Sequence, residues 1–325
     1  MRLFIKTKIY LIAKSMIGKA IFKLTKPLIK VDNLTSGKKN MPFLVAITVD
    51  TECGYVKAGE YRLWQFENPN AFQGLYYGIR NLRRLADSEK VPLTFLISGQ
   101  ALNANGREKE QVEMELRRIL PNHEIGYHLH PTTDFALQKK LKKKLLHNSA
   151  KYYNHKQKVE MLRAGKELIE RATKTRITSF RWGNWGLDGD FKALWEAGFK
   201  IDTSACPGAS GHLKDDRSYD WRKCKTHIPF LKHGVTEVPI ATFSYLGVTL
   251  LADPIYCDLL MYAFDYYYKN AARNGRPFVF VVITHTPEAT YEDGRETPIV
   301  ETLRQFMRYA NKKKDVKFVK LKDTI

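Results

Sequence analysis

His128 and His130 are two histidines separated by one residue, and their type and spacing suit metal binding. In an extended segment the side chains of residues i and i+2 point to the same face, so both imidazoles could converge on one metal ion. Pro131 follows them and ends the predicted strand, because proline cannot donate a ladder hydrogen bond. For this stretch alone, a strand end with two surface histidines is an equally good interpretation.

Two carboxylates follow a second apolar segment. Residues 42–49 are almost continuously apolar and predict a strand buried on both faces, and Asp50 and Glu52 come at its end. Buried carboxylates are costly unless a metal, a cation or water compensates for the burial. A solvated loop is the alternative, but the buried strand before these carboxylates favours a functional pair.

Arg181, Asp202 and His285 end three further predicted strands. In parallel α/β barrels, catalytic groups gather at the carboxyl ends of the strands. A carboxylate and two imidazoles suit zinc with a position left open for water, and a second carboxylate could act as a base. A distant histidine could protonate a leaving group. The whole set predicts metal-assisted hydrolysis.

The elements that must position these residues alternate between strands and helices, which predicts a parallel α/β architecture. The predicted strands cover residues 42–50, 91–97, 123–130, 177–181, 198–202, 236–240, 277–285 and 316–321. The predicted helices cover residues 70–88, 109–120, 134–175, 190–197, 253–273 and 300–311. Residues 206–235 look like a long polar loop, and a loop of this length in a compact domain is often a functional insertion.

The composition limits the class of protein and its partners. The chain has 325 residues, 44% of them hydrophobic, which is enough for one α/β barrel with appendages, and no apolar run is long enough to span a membrane. The formal net charge of +20 favours an anionic partner, but no recognised nucleic-acid motif is present, so we expect none. The four cysteines show no CxxC spacing and no secretory signal is visible, so a cytoplasmic location is expected.

Residues 1–40 differ from the rest, because they contain no acidic residue before Asp32. If this segment is helical, five lysines lie on one stripe of it: Lys8, Lys19, Lys23, Lys26 and Lys30. The pattern predicts a basic amphipathic helix in an anionic membrane interface at the inner face of the membrane, followed by a linker at residues 32–40. A helix packed on the body with snorkelling lysines is the alternative. Residues 41–325 would then form the catalytic domain.

Together, five short motifs resemble the polysaccharide deacetylases of the NodB type (carbohydrate esterase family 4). They occur in the family's order, and the resemblance covers residues 43–285. The motifs are Thr48-Val49-Asp50-Thr51-Glu52, His123-Glu124-Ile125-Gly126-Tyr127-His128, Phe180-Arg181-Trp182-Gly183, Gly198-Phe199-Lys200-Ile201-Asp202-Thr203-Ser204 and Ile283-Thr284-His285.

The resemblance implies a distorted (β/α) barrel, a divalent metal with zinc as the expected ion, and removal of an N-acetyl group from an amino sugar. The substrate would be a polysaccharide or a lipid-linked glycan precursor. Carried over by position, Asp50 is the catalytic base, Arg181 its partner and His128 a metal ligand. His285 is the general acid, and Asp202 tunes it.

The chain departs from the family at two ligand positions. Thr51 stands where the family has a metal-binding aspartate, and we take Glu52 as its substitute. Thr132 stands where the second histidine ligand falls, and same-face geometry favours His130 instead, with His123 as the alternative.

Other functions remain open. The same fold could hydrolyse another C–N bond, such as a formamide or a cyclic imide, or a glycosidic bond. Alternatively, the chain could be a metal-free protein without activity that binds an anionic glycan or a membrane surface. Trp182 and Trp185 predict either a wall on which a sugar stacks or ordinary core packing.

Overall fold

A computed structural model of the protein describes residues 24–25, 28–57, 68, 70–211 and 219–325. Almost all of the predicted N-terminal amphipathic helix lies outside these residues. The α-helices are α1 (Ile79–Glu89), α2 (Gly106–Ile119), α3 (Phe135–Leu141), α4 (His155–Thr173), α5 (Phe191–Glu196), α6 (Asp258–Asn270) and α7 (Pro298–Asn311). Within the described ranges, no helix is both long and apolar enough to cross a membrane.

The strands confirm the predicted α/β class. They are β1 (Ile29–Lys30), β2 (Phe43–Thr51), β3 (Leu93–Ser98), β4 (Glu124–Leu129), β5 (Ser179–Trp182), β6 (Ile201–Asp202), β7 (Ser210–Gly211), β8 (Tyr219–Asp220), β9 (Phe230–Lys232), β10 (Val235–Glu237), β11 (Thr242–Tyr245), β12 (Val248–Leu251), β13 (Phe278–His285) and β14 (Val316–Phe318).

One sheet carries the fold, with the strand order β13-β2-β3-β4-β5-β6-β10-β9 and β14 beside the first half of β2. All strands from β13 to β10 in this order are parallel, so their carboxyl ends meet at one edge. The sheet curls until Ile240, just after β10, forms a parallel bridge with Val281 of β13. The result is a distorted barrel, as predicted.

Alternation along β2 separates the two faces of the sheet. One set of its residues packs in the large apolar cluster that includes the helices: Phe43, Val45, Ile47 and Val49. Leu44 and Ala46 belong to a second cluster, inside the barrel. Because the side-chain period of a strand is two, Asp50 also points to the barrel interior.

Two predicted segments differ in the structure. The basic stretch 134–175 forms two helices rather than one, because α3 ends at Lys142 in a left-handed conformation and α4 begins at the capping box of Asn154. The segment 32–40, predicted to be a linker, is held against the body. Thr35 and Lys38 accept backbone hydrogen bonds from residues 272 and 273, and β1 pairs with β11.

Candidate metal centre and active site

Three buried side chains converge at the carboxyl edge of the sheet. Glu52 Oε1 lies 3.1 Å from His128 Nε2 and 2.9 Å from His130 Nε2, and the two Nε2 atoms are 2.9 Å apart. All three residues are buried. Tetrahedral ligands of zinc lie about 3.4 Å apart when each is about 2.1 Å from the ion, so this triad fits a divalent metal after small outward shifts.

The histidine rings are oriented by the neighbouring strand. His128 donates its Nδ1–H to the carbonyl of Arg181 at 3.2 Å, and its Nε2 faces Glu52. Such a hydrogen bond on the far ring nitrogen is the usual way in which a protein fixes a metal-binding histidine. The ring of His130 lies against Gly183, where an added Cβ would be 2.7 Å from ring atoms. The triad is therefore positioned before any ion binds.

Strand alternation explains why Glu52 and not Thr51 reaches the triad. Thr51 points away from it and donates its hydroxyl to the carbonyl of Leu96 at 3.0 Å. Burial tends to raise the pKa of Glu52, but hydrogen bonds from His128 and His130 hold that pKa well below its usual value. Glu52 therefore stays a carboxylate, which is the form that binds a metal.

The two alternative ligand positions lie elsewhere. His123 precedes β4 at its amino end, where its Nδ1 accepts a hydrogen bond from the backbone of Leu93 and its Nε2 lies 3.2 Å from Asp87. Thr132 donates its hydroxyl to Asn148. The structure thus brings His130 to the triad and leaves His123 outside it.

Asp50 lies beside the triad and is paired with Arg181. Its Oδ1 is 2.5 Å from Arg181 Nη1, whereas its Oδ2 lies 3.7 Å from His128 Nε2 and 3.9 Å from His285 Nε2. Further hydrogen bonds from the guanidinium to Thr48 and Thr203 hold the fully buried arginine in place. One carboxylate oxygen is therefore occupied, and the other faces the triad of Glu52, His128 and His130.

His285 lies opposite the triad, next to a carboxylate that the sequence analysis missed. Its Nδ1 is 3.2 Å from Glu288 Oε1, and the other oxygen of Glu288 accepts the backbone N–H of His285 at 3.1 Å. Burial would lower the pKa of His285, but Glu288, followed by Glu52 and Asp50, raises it well above its usual value. The imidazolium form is therefore favoured.

Asp202 was expected to tune His285, and the structure does not form this pair. Asp202 is the register partner of Phe180, which packs in the cluster that includes the helices, so it lies on the face opposite the barrel interior. It accepts hydrogen bonds from Ser204 and from Glu237. Burial and the charge of Asp202 raise the pKa of Glu237 well above its usual value, so Glu237 is the protonated member of this buried pair.

Trp182 and Trp185 lie in different environments. Trp182 is fully buried and donates its Nε1–H to the carbonyl of Asn148, which is core packing. Trp185 is only partly buried and contacts Tyr219 edge-on, with ring centroids 5.0 Å apart. Asn184 and Trp185 both have positive φ, at 51° and 53°. Backbone strain of this kind is common at functional sites.

Glu288 could have been found from one local signal. It follows His285 by three residues in the turn Thr286–Ala289, and this spacing brings the two side chains to the same side of one helical turn. The strand pattern itself ends at His285 and does not reach the turn that carries Glu288. Asp253 was missed as well, and it completes a cluster with His285 and Glu288 whose ligand atoms lie within 4.8 Å of one another.

Comparison with known proteins supports the fold. No protein-family model and no curated protein matches the sequence. A solved structure from Mycobacterium smegmatis, described as a polysaccharide deacetylase, is 17% identical, with 91% of this chain and 93% of that chain covered and a TM-score of 0.57. One from Pseudomonas aeruginosa PAO1, also described as a polysaccharide deacetylase, is 15% identical over 87% and 89%, with a TM-score of 0.55.

A third structure, of PuuE allantoinase, is 14% identical, with 87% of this chain and 88% of that chain covered and a TM-score of 0.55. At such low identities these similarities establish the fold and not the reaction. The resemblance read from the five motifs is confirmed at this level: the chain has the (β/α)-barrel fold of the polysaccharide deacetylases.

Proposed function

We propose that residues 41–325 form a metal-dependent hydrolase that removes the N-acetyl group of an amino sugar in a polysaccharide or a lipid-linked glycan precursor. The observation that carries the proposal is the convergence of Glu52, His128 and His130, with the free oxygen of Asp50 on one side. The deacetylase neighbours in the same fold support this substrate class. The allantoinase neighbour supports hydrolysis of another C–N bond as the second candidate.

A divalent ion held by these three residues, with zinc as the expected one, would polarise the amide carbonyl and make a nearby water more acidic. Asp50 accepts the proton of that water through Oδ2, since its Oδ1 is held by Arg181. His285 donates a proton to the departing amine from Nε2, and Glu288 at Nδ1 keeps the ring charged and oriented. Asp50, which accepts the first proton, and His285, which donates the second, thus lie on the interior face of adjacent strands.

Metal content and acetate release test the proposal together. The purified protein should hold about one zinc per chain and release acetate from N-acetylglucosamine oligomers. Single alanine variants of Glu52, His128 and His130 should lose both the metal and the activity, whereas His123→Ala should keep both. Zinc without acetate release, but with hydrolysis of a cyclic amide, would favour the second candidate. No metal under zinc-replete conditions would favour a binding protein without activity.

A further inference from the structure

The connection between β4 and α4 lies at the edge of the sheet where the metal centre opens. β4 ends at Leu129 and the metal-binding His130 follows it, so the connection starts beside the triad. Hydrogen bonds to the body hold it there. Gln100 donates its side-chain amide to the hydroxyl of Thr133 at 2.8 Å, and Ala150 donates its backbone N–H to the carbonyl of Gly186 at 2.9 Å. Its surface is therefore fixed relative to the site.

This connection exposes lysines and large apolar side chains together. We call the following residues the basic patch: Phe135, Lys139, Lys142, Lys143, Lys144 and Leu146. Phe135 is 47% exposed and Leu146 64% exposed. The one acidic residue in this stretch, Asp134, is buried and caps α3, and within the described ranges no carboxylate pairs with the four lysines of the patch.

We propose that the basic patch docks on an anionic phospholipid bilayer. A lysine run alone is usually a solvated face, but these lysines flank apolar side chains that water solvates poorly. Lysine heads that meet lipid phosphates, with apolar side chains entering the boundary below them, are the features of a peripheral membrane surface. The net charge of +20 adds long-range attraction in the same direction.

The acidic residues on the same edge limit how the protein can dock. Glu292, Asp293 and Glu296 lie in the loop that follows β13, and Asp293 pairs with Arg295 at 2.6 Å. In the strand order, β2 and β3 separate β13 from β4. Docking through the patch therefore tilts the β4 side toward the bilayer and keeps the acidic loop away. The opening of the site then lies next to the lipid surface.

Co-sedimentation of the full chain with vesicles tests the proposal, and two charge-matched variants make it specific. Lys139, Lys143 and Lys144 are changed to Glu in the first variant, and Lys312, Lys314 and Lys317 in the second. All six lysines are exposed, and the second set lies at the end of α7 and the start of β14, at the amino edge of the sheet. The vesicles contain phosphatidylcholine alone or mixed equally with phosphatidylglycerol.

Each lysine near an anionic surface strengthens binding by about fivefold, so the first variant should bind the mixed vesicles at least about 100-fold more weakly than the unaltered chain. The second variant should bind nearly as well as the unaltered chain. Equal losses in both variants would mean that binding follows net charge alone, and no loss in either would assign binding to residues 1–40. Both results overturn the proposal. Far-UV circular dichroism confirms that each variant is folded.

Leu146→Ser separates a bilayer from a soluble polyanion. Its exposed side chain contributes little to the core, so the variant should fold normally. It should lose the part of vesicle binding that persists at high salt, because that part comes from apolar insertion. Unchanged vesicle binding, or a patch that binds dextran sulfate but no vesicle, would contradict docking on lipid. None of these measurements uses catalysis, so they stand or fall separately from the proposed hydrolase activity.

Discussion

Arg181 connects the two halves of the site at the scale of single residues. Its guanidinium holds Asp50 Oδ1, while its backbone carbonyl accepts the Nδ1–H of His128. The proposed base and a proposed metal ligand therefore depend on the same residue of β5. Because Arg181 is fully buried, removing its partner carboxylate would leave a buried positive charge without a counter-ion, which destabilises the fold strongly.

The change Asp50→Asn tests the proposed base. The asparagine Oδ1 can still accept the hydrogen bond from Arg181, so the fold should survive with a loss of about 1 to 3 kcal/mol of stability. Activity should fall about a hundredfold to ten-thousandfold, because the amide cannot accept a proton, while zinc stays bound. Acetate release and elemental analysis measure the two effects. A variant that keeps near-normal turnover would remove Asp50 from the role of base.

The change Glu288→Gln tests the residue that the structure places beside His285. Glu288 raises the pKa of His285, so the charged form persists to higher pH, and a general acid is active only while it is protonated. In the variant this pKa falls, and the alkaline limb of the pH–activity profile should move to lower pH. A bound divalent ion would lower the pKa of His285 in both proteins, so the difference between the two pH–activity profiles still reports the loss of the Glu288 charge. Glu296→Gln, an exposed change in the same loop, should leave the profile unchanged.

At the scale of elements, the sequence predicts strands and their ends best where burial makes the pattern continuous. β2 and β13 are long apolar runs, and both place a chemical residue at their carboxyl end as predicted. β6 has only two residues, which is too few to show which face is buried. The sequence could therefore locate Asp202 at a strand end but could not show that it faces away from His285.

The turn after β5 is a second element that the sequence could not specify. It carries Gly183, and the close approach of this residue to His130 depends on the curl of the sheet rather than on local pattern. We expect Gly183→Ala to push the ring of His130 out of the triad, because the added Cβ would lie 2.7 Å from ring atoms. Zinc affinity should drop about 10- to 100-fold.

Gly37→Ala is the matched control for this change, since its Cβ would meet only Ala272 at an ordinary 3.5 Å. Isothermal titration of zinc into the metal-free variants measures the difference. Equal affinities in the two variants would show that the approach of Gly183 to His130 does not position the ligand.

At the scale of the whole molecule, the alternation of strands and helices along most of the chain predicted the parallel α/β class, and the resemblance of the five motifs implied the barrel. It did not predict the hairpin of β11 and β12 or its pairing with β1, which bring residues 29–30 onto the body. The pairing of β1 with β11 joins positions more than 200 residues apart, so no local pattern records it. Within the described residues, positions 29–30, 35 and 38 therefore lie against the body of the barrel.

The buried pair of Asp202 and Glu237 makes the stability of the whole domain depend on pH. Burial and the charge of Asp202 raise the pKa of Glu237 well above its value in the unfolded chain, which is about 4.3. The stability that comes from protonated Glu237 is fully present below the unfolded pKa and is lost as pH rises toward the folded pKa. Above pH ~4.3 this single group therefore lowers the free energy of unfolding by about 1.4 kcal/mol per pH unit.

Glu237→Gln should remove this loss, because the amide donates to Asp202 without titrating and its oxygen still accepts the N–H of Ala205. Urea unfolding between pH 4 and pH 7 should show equal stability of the two proteins at the acidic end and a growing advantage of the variant as pH rises. Glu110→Gln, an exposed change, should show no such divergence. Parallel curves for Glu237→Gln and the unaltered chain would mean that Glu237 is charged in the folded protein and donates no hydrogen bond to Asp202.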